Sequence, residues 1–370
     1  MSVKVAIDIS PIKTGHKVRG IGMYTQCLVE TLQRIGESEN RRIRIDAFDF
    51  KNGKCPAGRD PALRERLETG NYDIVHYPYF DLFFLTLPLR KMAKTVVTIH
   101  DVTPLIFPEH YPPGIKGKIK FLIQKFSLQS VSVVITDSKN SKNDIFKYLN
   151  YPKERIFVIL LAPGEEFKKL ATSNWQLATR RKYSLPGQFV LYVGDVNWNK
   201  NVLGLVKACK KIKVPLVIVG KQATQEDFDK SHIENQPLVQ LIKEYGNDSD
   251  IKRIGFVSKE DLIKIYNLAT VYCQPSFYEG FGLPVLEAMA CGCPVVVAKT
   301  SSLPEVCGEA ALMVDPKDEA DIARGLNKVM SDKRTRESLR EKGFEQIKKF
   351  SWKKVVNETV AVYEKVVKGQ

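Results

Sequence analysis

At 370 residues the chain is longer than one hydrophobic core usually supports, which predicts two domains. Its 44% apolar and 27% charged residues are those of an ordinary water-soluble protein, and no apolar run is long enough to cross a bilayer. The net charge of +15 predicts anionic partners, a sugar nucleotide or a membrane surface. Nucleic acid is not expected, because the chain carries neither a paired Cys/His finger nor an aromatic RNP segment.

The first strand-like run, VKVAID (3–8), lacks the basic start, long apolar stretch and cleavage site of a signal peptide, so a cytoplasmic location is expected. From there β-rich runs alternate with helical patterns. RIRIDAFD (42–49), DIVHYP (73–78), KTVVTIHD (94–101), VSVVITDS (131–138) and RIFVILLAP (155–163) follow as strands, with amphipathic stretches at 22–35 and 115–130 between them. Several runs are almost continuously apolar, as strands buried on both faces of a parallel sheet must be. From about Pro163 to Pro186 the pattern breaks into a polar connector. A second series then runs FVLYVGD (189–195), VPLVIVG (214–220), IKRIGFV (251–257), TVYCQPS (270–276), PVVVA (294–298) and AALMVD (310–315). The tail from 350 has apolar residues at helical spacing and reads as a closing helix. Alternating βαβα order predicts an α/β protein of two Rossmann-like, doubly wound domains facing across a cleft, 1–165 and 166–349, with 350–370 crossing back to the first.

In such sheets ligands gather beyond the carboxyl ends of the strands. That rule selects Asp8, His76, His100–Asp101 and Ser138 in the first domain, and 194–200, Gly220–Lys221 and 276–283 in the second. His76 and His100 each read equally as catalytic or as a hydrogen-bonded structural histidine, and Ser138 also reads as a helix N-cap. The seven cysteines and five histidines show no ligand spacing, so reduced, buried thiols and no metal are expected.

The loop SFYEGFGLPVLEAMACG (276–292) is the most informative. It ends a strand, turns on glycines and starts a helix at Pro284 with no Ser, Thr, Asp or Asn to cap it. The amides of Gly280, Phe281, Gly282 and Leu283 therefore suit an anion or hydroxyl cluster. Glu279 on the turn and Glu287 one helical turn further in can accept hydrogen bonds from ligand hydroxyls, which together describes a nucleotide-sugar site.

EGFGLPVLE (279–287) resembles the E-x7-E signature of retaining glycosyltransferases of the GT-B fold, family four. RGIGMYT (19–25), VVTIHDVTPLIFPEHYP (96–112), ITDSKNSKNDI (135–145), YVGDVNWNKN (192–201), GFVSKEDLIKIYNLATVYCQPS (255–276) and SSLPEVCGEAALMVDP (301–316) agree in order and spacing. The resemblance covers nearly the whole chain and is greatest to mannosyl- and rhamnosyl-type enzymes of polysaccharide assembly. It implies an acceptor-binding first domain and a donor-binding second one. It also implies transfer from a nucleoside diphosphate sugar to a glycan or lipid-linked acceptor, with retention and with no cofactor or obligatory metal. By that resemblance Glu279 holds donor-sugar hydroxyls, Glu287 the ribose, and Gly280 to Leu283 bracket sugar and diphosphate. Gly20 and Gly22 match the glycine loop near the phosphates, Lys200 the residue that grips the diphosphate, and His100 the active-site histidine. Many members carry an arginine where this chain has Asp195 or Asn199, which leaves Lys200, with Lys221 and Arg19 as helpers, to neutralise phosphate.

Two other functions share this scaffold: a glycoside phosphorylase or disaccharide synthase, and a catalytically silent sugar-nucleotide-binding protein. The segment PPGIKGKIKFLIQKFSLQ (112–129) interleaves Ile115, Ile119, Leu122, Ile123 and Phe126 with lysines. It reads first as a domain helix with its apolar face in the core, and otherwise as a basic helix in peripheral contact with an anionic membrane at its inner face.

Overall fold

The computed structural model describes residues 3–13, 20–38, 43–49 and 72–369. Each expected strand is present. The first series forms β1 (Val3–Asp8), β2 (Ile43–Phe48), β3 (Ile74–Tyr77), β4 (Lys94–Thr98), β5 (Val133–Thr136) and β6 (Ile156–Val158). The second forms β7 (Val190–Val193), β8 (Leu216–Val219), β9 (Ile251–Ile254), β10 (Val271–Gln274), β11 (Val295–Ala298) and β12 (Ala311–Val314). They build two six-stranded sheets, ordered β2-β1-β3-β4-β5-β6 and β12-β11-β10-β7-β8-β9, and every pairing is parallel. All four residues of β3, β5, β8, β10 and β11 are buried, because helices cover both faces.

The chain divides into two compact units, residues 1–162 with 351–370, and 163–350. In the first unit the helices used below are α1 (Gly20–Ser38), α2 (Gly114–Gln129), α3 (Lys139–Asp144) and the short turn Ile145–Leu149 that continues it. The second unit carries α4 (Trp175–Tyr183), α5 (Val202–Lys211), α6 (Gln236–Tyr245), α7 (Lys259–Leu268), α8 (Leu283–Ala290), α9 (Leu303–Cys307), α10 (Glu319–Ser331) and α11 (Lys333–Ile347). The last helix, α12 (Trp352–Lys368), belongs to the first unit. Its Tyr363 is buried and bonds through its hydroxyl to His76 Nδ1 at 2.6 Å, while Lys94 donates to the carbonyls of Val366 and Val367 at 2.9 and 3.0 Å.

One expectation fails here. The apolar stripe of 112–129 does not enter the core: Ile115, Ile119, Leu122 and Phe126 are exposed, and α2 buries Gly117, Gln124, Ser127 and Leu128 instead. The reason lies in the segment packed beneath. The Gln124 side chain accepts from Leu87 N at 3.2 Å and donates to Asp81 O at 3.2 Å and Thr86 Oγ1 at 2.7 Å, and Ser127 Oγ donates to Pro88 O at 2.7 Å. Irregular backbone under a helix needs polar partners, so the polar side of α2 is the side that packs.

Candidate active site

The sheet order of the second unit reverses direction between β7 and β10, which makes their carboxyl ends the place where a crevice opens in a doubly wound sheet. The chain leaves β7 through Gly194, whose φ of +147° favours glycine, and enters a short helical turn, Trp198–Lys200. It leaves β10 through Pro275 and Ser276 into the glycine turn. Side chains lash these two loops together. Trp198 stacks on Phe277 at 4.9 Å, Asn199 Nδ2 donates to Tyr278 O at 3.1 Å, and Asn201 Nδ2 donates to Pro275 O at 3.1 Å.

The result is an ion pair at the switch point, its carboxylate buried and its lysine partly exposed. Lys200 Nζ lies 2.9 and 2.7 Å from the two carboxylate oxygens of Glu279, and Ser276 Oγ donates to Glu279 Oε1 at 2.6 Å. Glu279 is only 6% exposed, so the carboxylate would be costly there without those partners. The turn that carries it is fixed from the other side by two serines. Ser301, held at φ +52°, accepts from Glu279 N at 2.9 Å, and the buried Ser302 hydroxyl lies 2.9 Å from both Glu279 O and Phe281 O. A left-handed serine is a local strain, kept because its hydroxyl has this partner.

Gly282, at φ +107°, is the cap residue of α8, and no side chain caps that helix start. The φ favours glycine, and a Cβ there would stand 2.8 Å from Leu303 Cδ2 and push that methyl aside. The helix opens at Leu283, one position earlier than the sequence suggested, and Pro284 is its second residue. A helix start with no side-chain cap presents its dipole and amides to whatever acceptor lies beyond it.

Glu287 sits one turn further along α8, with a different partner from Glu279. Tyr266, from α7, donates its hydroxyl to Glu287 Oε2 at 2.9 Å. Burial pushes the Glu287 carboxyl up from 4.5 to about 7 against the opposing hydrogen bond from Tyr266, and Glu166 adds to the rise. Among the other residues singled out, Asn199 is buried in the loop lashing and Lys221 opens an exposed turn after β8. Arg19 lies outside the described residues, and so does Cys55, one of the seven cysteines.

In the first unit the sheet order reverses between β1 and β3. Gly20 opens α1 at an exposed position and Gly22 is buried in its first turn. His100 stands just beyond β4 and donates from Nδ1 to Asp137 Oδ2 at 2.6 Å. Asp137 is 2% exposed and Tyr24 meets the imidazole edge-on at 4.9 Å. Burial pulls the His100 imidazole down, but the Asp137 carboxylate, with Asp101 beyond it, more than offsets this and holds it above the ordinary histidine value. Asp137 went unnoticed in the sequence. The register offers the signal: Thr98 pairs with Ile135, so two residues beyond that pair His100 meets Asp137.

His76 is different. It is fully buried, its nitrogens bond to Tyr363 and, at 2.9 Å, to Thr98 Oγ1, and burial lowers it to about 3. It is a neutral structural histidine. Ser138 caps α3, its hydroxyl accepting from Ser141 N at 3.0 Å, and Asp8 accepts from Ser10 N at 2.8 Å, so both organise backbone. Among the described residues no group of three or more His, Cys, Asp or Glu side chains could hold a metal ion.

Two Rossmann-like units, with a lysine–glutamate pair and an uncapped helix at the switch point of the second, define a nucleotide-sugar glycosyltransferase of the GT-B fold. Residues 178–346 match the family described as "Glycosyl transferases group 1", and residues 13–160 match "Glycosyltransferase Family 4". The chain is 33% identical to O-antigen chain mannosyltransferase B of Escherichia coli, over 98% of its own length and 100% of that protein's. It is 38% identical to MMP alpha-(1->4)-mannosyltransferase of Mycolicibacterium hassiacum, covering 86% of this chain and 75% of that one. Solved structures with the same fold include sucrose-phosphate synthase from Thermosynechococcus elongatus, with a TM-score of 0.74 at 18% identity over 100% of both chains. Another is Anabaena HepE in complex with UDP and glucose, with a TM-score of 0.73 at 16% identity over 98% of this chain and 100% of that one. The chain belongs to the family 4 glycosyltransferases.

Proposed function

We propose that the protein transfers a hexosyl group, mannosyl in the first instance, from a nucleoside diphosphate sugar to a glycan or lipid-linked acceptor, with retention at the anomeric carbon and without a metal ion. The observation that carries this reading is the Lys200–Glu279 pair at the β7–β10 switch point beside the uncapped start of α8. The mannosyltransferase names of two relatives support the sugar.

As the glycosidic bond to the diphosphate breaks, negative charge grows on the leaving oxygens. Lys200 and the amide end of α8 are fixed before the reaction, so they stabilise that charge without reorganising. Glu279 keeps the lysine in place and retains lone pairs for sugar hydroxyls, since a carboxylate accepts about four hydrogen bonds. Glu287 accepts from the ribose hydroxyls in its ionised form. Retention follows same-face attack on an oxocarbenium-like centre, with the leaving phosphate taking the acceptor's proton.

The test is thermal stabilisation by UDP, GDP and their sugar conjugates, with chelator present, for the wild type and Glu287→Ala. A nucleotide at one hundred times its Kd adds about 2.7 kcal/mol. The expected result is stabilisation by one base series, lost in the variant. Transfer from the matching donor is then checked for anomeric configuration by NMR. Absence of stabilisation by every nucleotide sinks the donor site, and an inverted product sinks the retaining mechanism.

A further inference from the structure

Exposed large apolar side chains are concentrated in one segment of this protein. Of the twelve among the described residues, eight, Phe84, Leu85, Leu89, Ile115, Ile119, Leu122, Phe126 and Phe146, fall within the segment 84–146 of the first unit, while Leu177, Ile233, Phe256 and Met313 are spread along the second. Four of them form a stripe on α2: at 100° per residue Ile115, Ile119, Leu122 and Phe126 fall within about 60° of arc, roughly opposite the buried Gly117, Gln124 and Leu128. Ile115 is 81% and Phe126 74% exposed. On the same helical projection Lys116 and Lys120 flank the stripe on one side, and Lys118 and Lys125 on the other, at about 70–130° from its centre.

This platform is built. Gln124 and Ser127 bind the 81–88 backbone, as described above, and Phe83 packs on Phe121 with ring centroids 6.3 Å apart. Lys120 Nζ lies 4.7 Å from the centre of the Phe84 ring, which joins that loop's apolar tip to the helix. Neither 82–93 nor 114–129 contains an Asp or Glu, while exposed Arg90, Lys116 and Lys118 supply positive charge. A stripe turned to water and rimmed by lysines alone is costly for a protein that meets only water.

We propose that this face docks on an anionic lipid bilayer, with α2 lying in the headgroup plane, its isoleucines, leucine and phenylalanine in the acyl boundary and its lysines among the headgroup phosphates. Charge complementarity selects a bilayer over a second copy of this +15 chain, whose like-charged patch would be repelled. Among the described residues no helix is long and apolar enough to cross a membrane, so this is peripheral attachment. The inference is independent of the donor site and stands or falls without it.

Full-length protein is sedimented with vesicles of phosphatidylcholine alone and of phosphatidylcholine mixed with phosphatidylglycerol. Binding is expected on the mixed vesicles, weakened by salt and much lower on the neutral ones. Each lysine near an anionic surface contributes roughly a fivefold gain in partition, so Lys116→Gln/Lys118→Gln/Lys120→Gln should lower it by about two orders of magnitude. Ile119→Ser/Phe126→Ser should abolish it, and Leu122→Cys carrying an environment-sensitive dye should shift to the blue on the mixed vesicles. All six side chains lie at the helix surface, and an unchanged circular dichroism melt verifies the fold. Wild-type protein that stays in the supernatant, variants that sediment like wild type, or a dye that does not shift would each overturn the proposal. So would concentration-dependent dimers, lost in the apolar variant, in protein that ignores vesicles.

Discussion

Glu287→Gln should make the protein more stable at pH 8 while weakening its nucleotide affinity. The carboxyl is held at about 7 in the folded chain against 4.5 ordinarily, because burial penalises the ionised form. Between those two values the folded state keeps a proton that the unfolded state has released, so stability is fully present below 4.5 and declines as pH rises through 7. Integrating the linkage gives a loss of about 2.5 kcal/mol between pH 5 and pH 8. Glutamine keeps the shape and can still accept from Tyr266, but it does not titrate, so its stability relative to wild type should rise by about that amount over the same interval. The chain has two compact units, so stability is read locally. The assay is therefore a urea titration read by hydrogen exchange and mass spectrometry of the peptide 283–290, at both pH values. A difference between variant and wild type that is equal at pH 5 and pH 8 would refute the argument.

The same group sets the pH response of binding: if the ionised form takes the ribose, nucleotide affinity should rise about tenfold from pH 6 to pH 8, measured calorimetrically, and the rise should vanish in Glu287→Gln. Lys200→Met leaves the Glu279 carboxylate buried without its counter-charge and should cost about 3–5 kcal/mol, whereas adding Glu279→Gln to it should recover much of that loss in urea melts. Gly282→Ala meets both Leu303 and a disallowed φ, so a loss of about 1–3 kcal/mol is expected, and Leu303→Ala beside it should relieve only the clash. Tyr363→Phe takes a partner from a fully buried imidazole and should destabilise the first unit by about 1–3 kcal/mol; a melt like wild type would show that His76 does not depend on it.

The strands were legible because parallel strands covered on both faces leave a simple trace of consecutive apolar residues. Their ends were not, since runs such as KTVVTIHD continue past the last ladder bond: β4 stops at Thr98, and His100 and Asp101 already belong to the turn. RIFVILLAP shrank most, to Ile156–Val158, because β6 is an edge with one neighbour. The strand-end rule selected the loops 194–200 and 276–283, the glutamates and the 280–283 amides came from the chemistry of the turn, and Lys200 entered through the family resemblance; that Lys200 and Glu279 form a pair was not foreseen. Asp137 and Tyr266 escaped because their roles depend on which strands and helices are neighbours in space. The serines 301 and 302 lay in a quoted motif without a role, since nothing local says that a turn twenty residues earlier needs their hydroxyls. The period of α2 was readable but its direction was not. A moment tells which residues share a face, and the backbone of 81–88 decided which face turned inward.

Residues 163–350 are contiguous, whereas the first unit is assembled from both sides of them. Domains generally fold as units in the order in which they leave the ribosome. Here the order is inverted: the second-named sheet has all its strands once residue 314 has emerged, while the first still lacks α12, and with it Tyr363 and the backbone that Lys94 binds. Until about residue 368 has been made, Tyr24, His76 and the flank of α1 lack the helix that covers them in the finished protein. A nascent chain stalled after residue 350 would therefore offer a complete sheet at its younger end and a chaperone client at its older one.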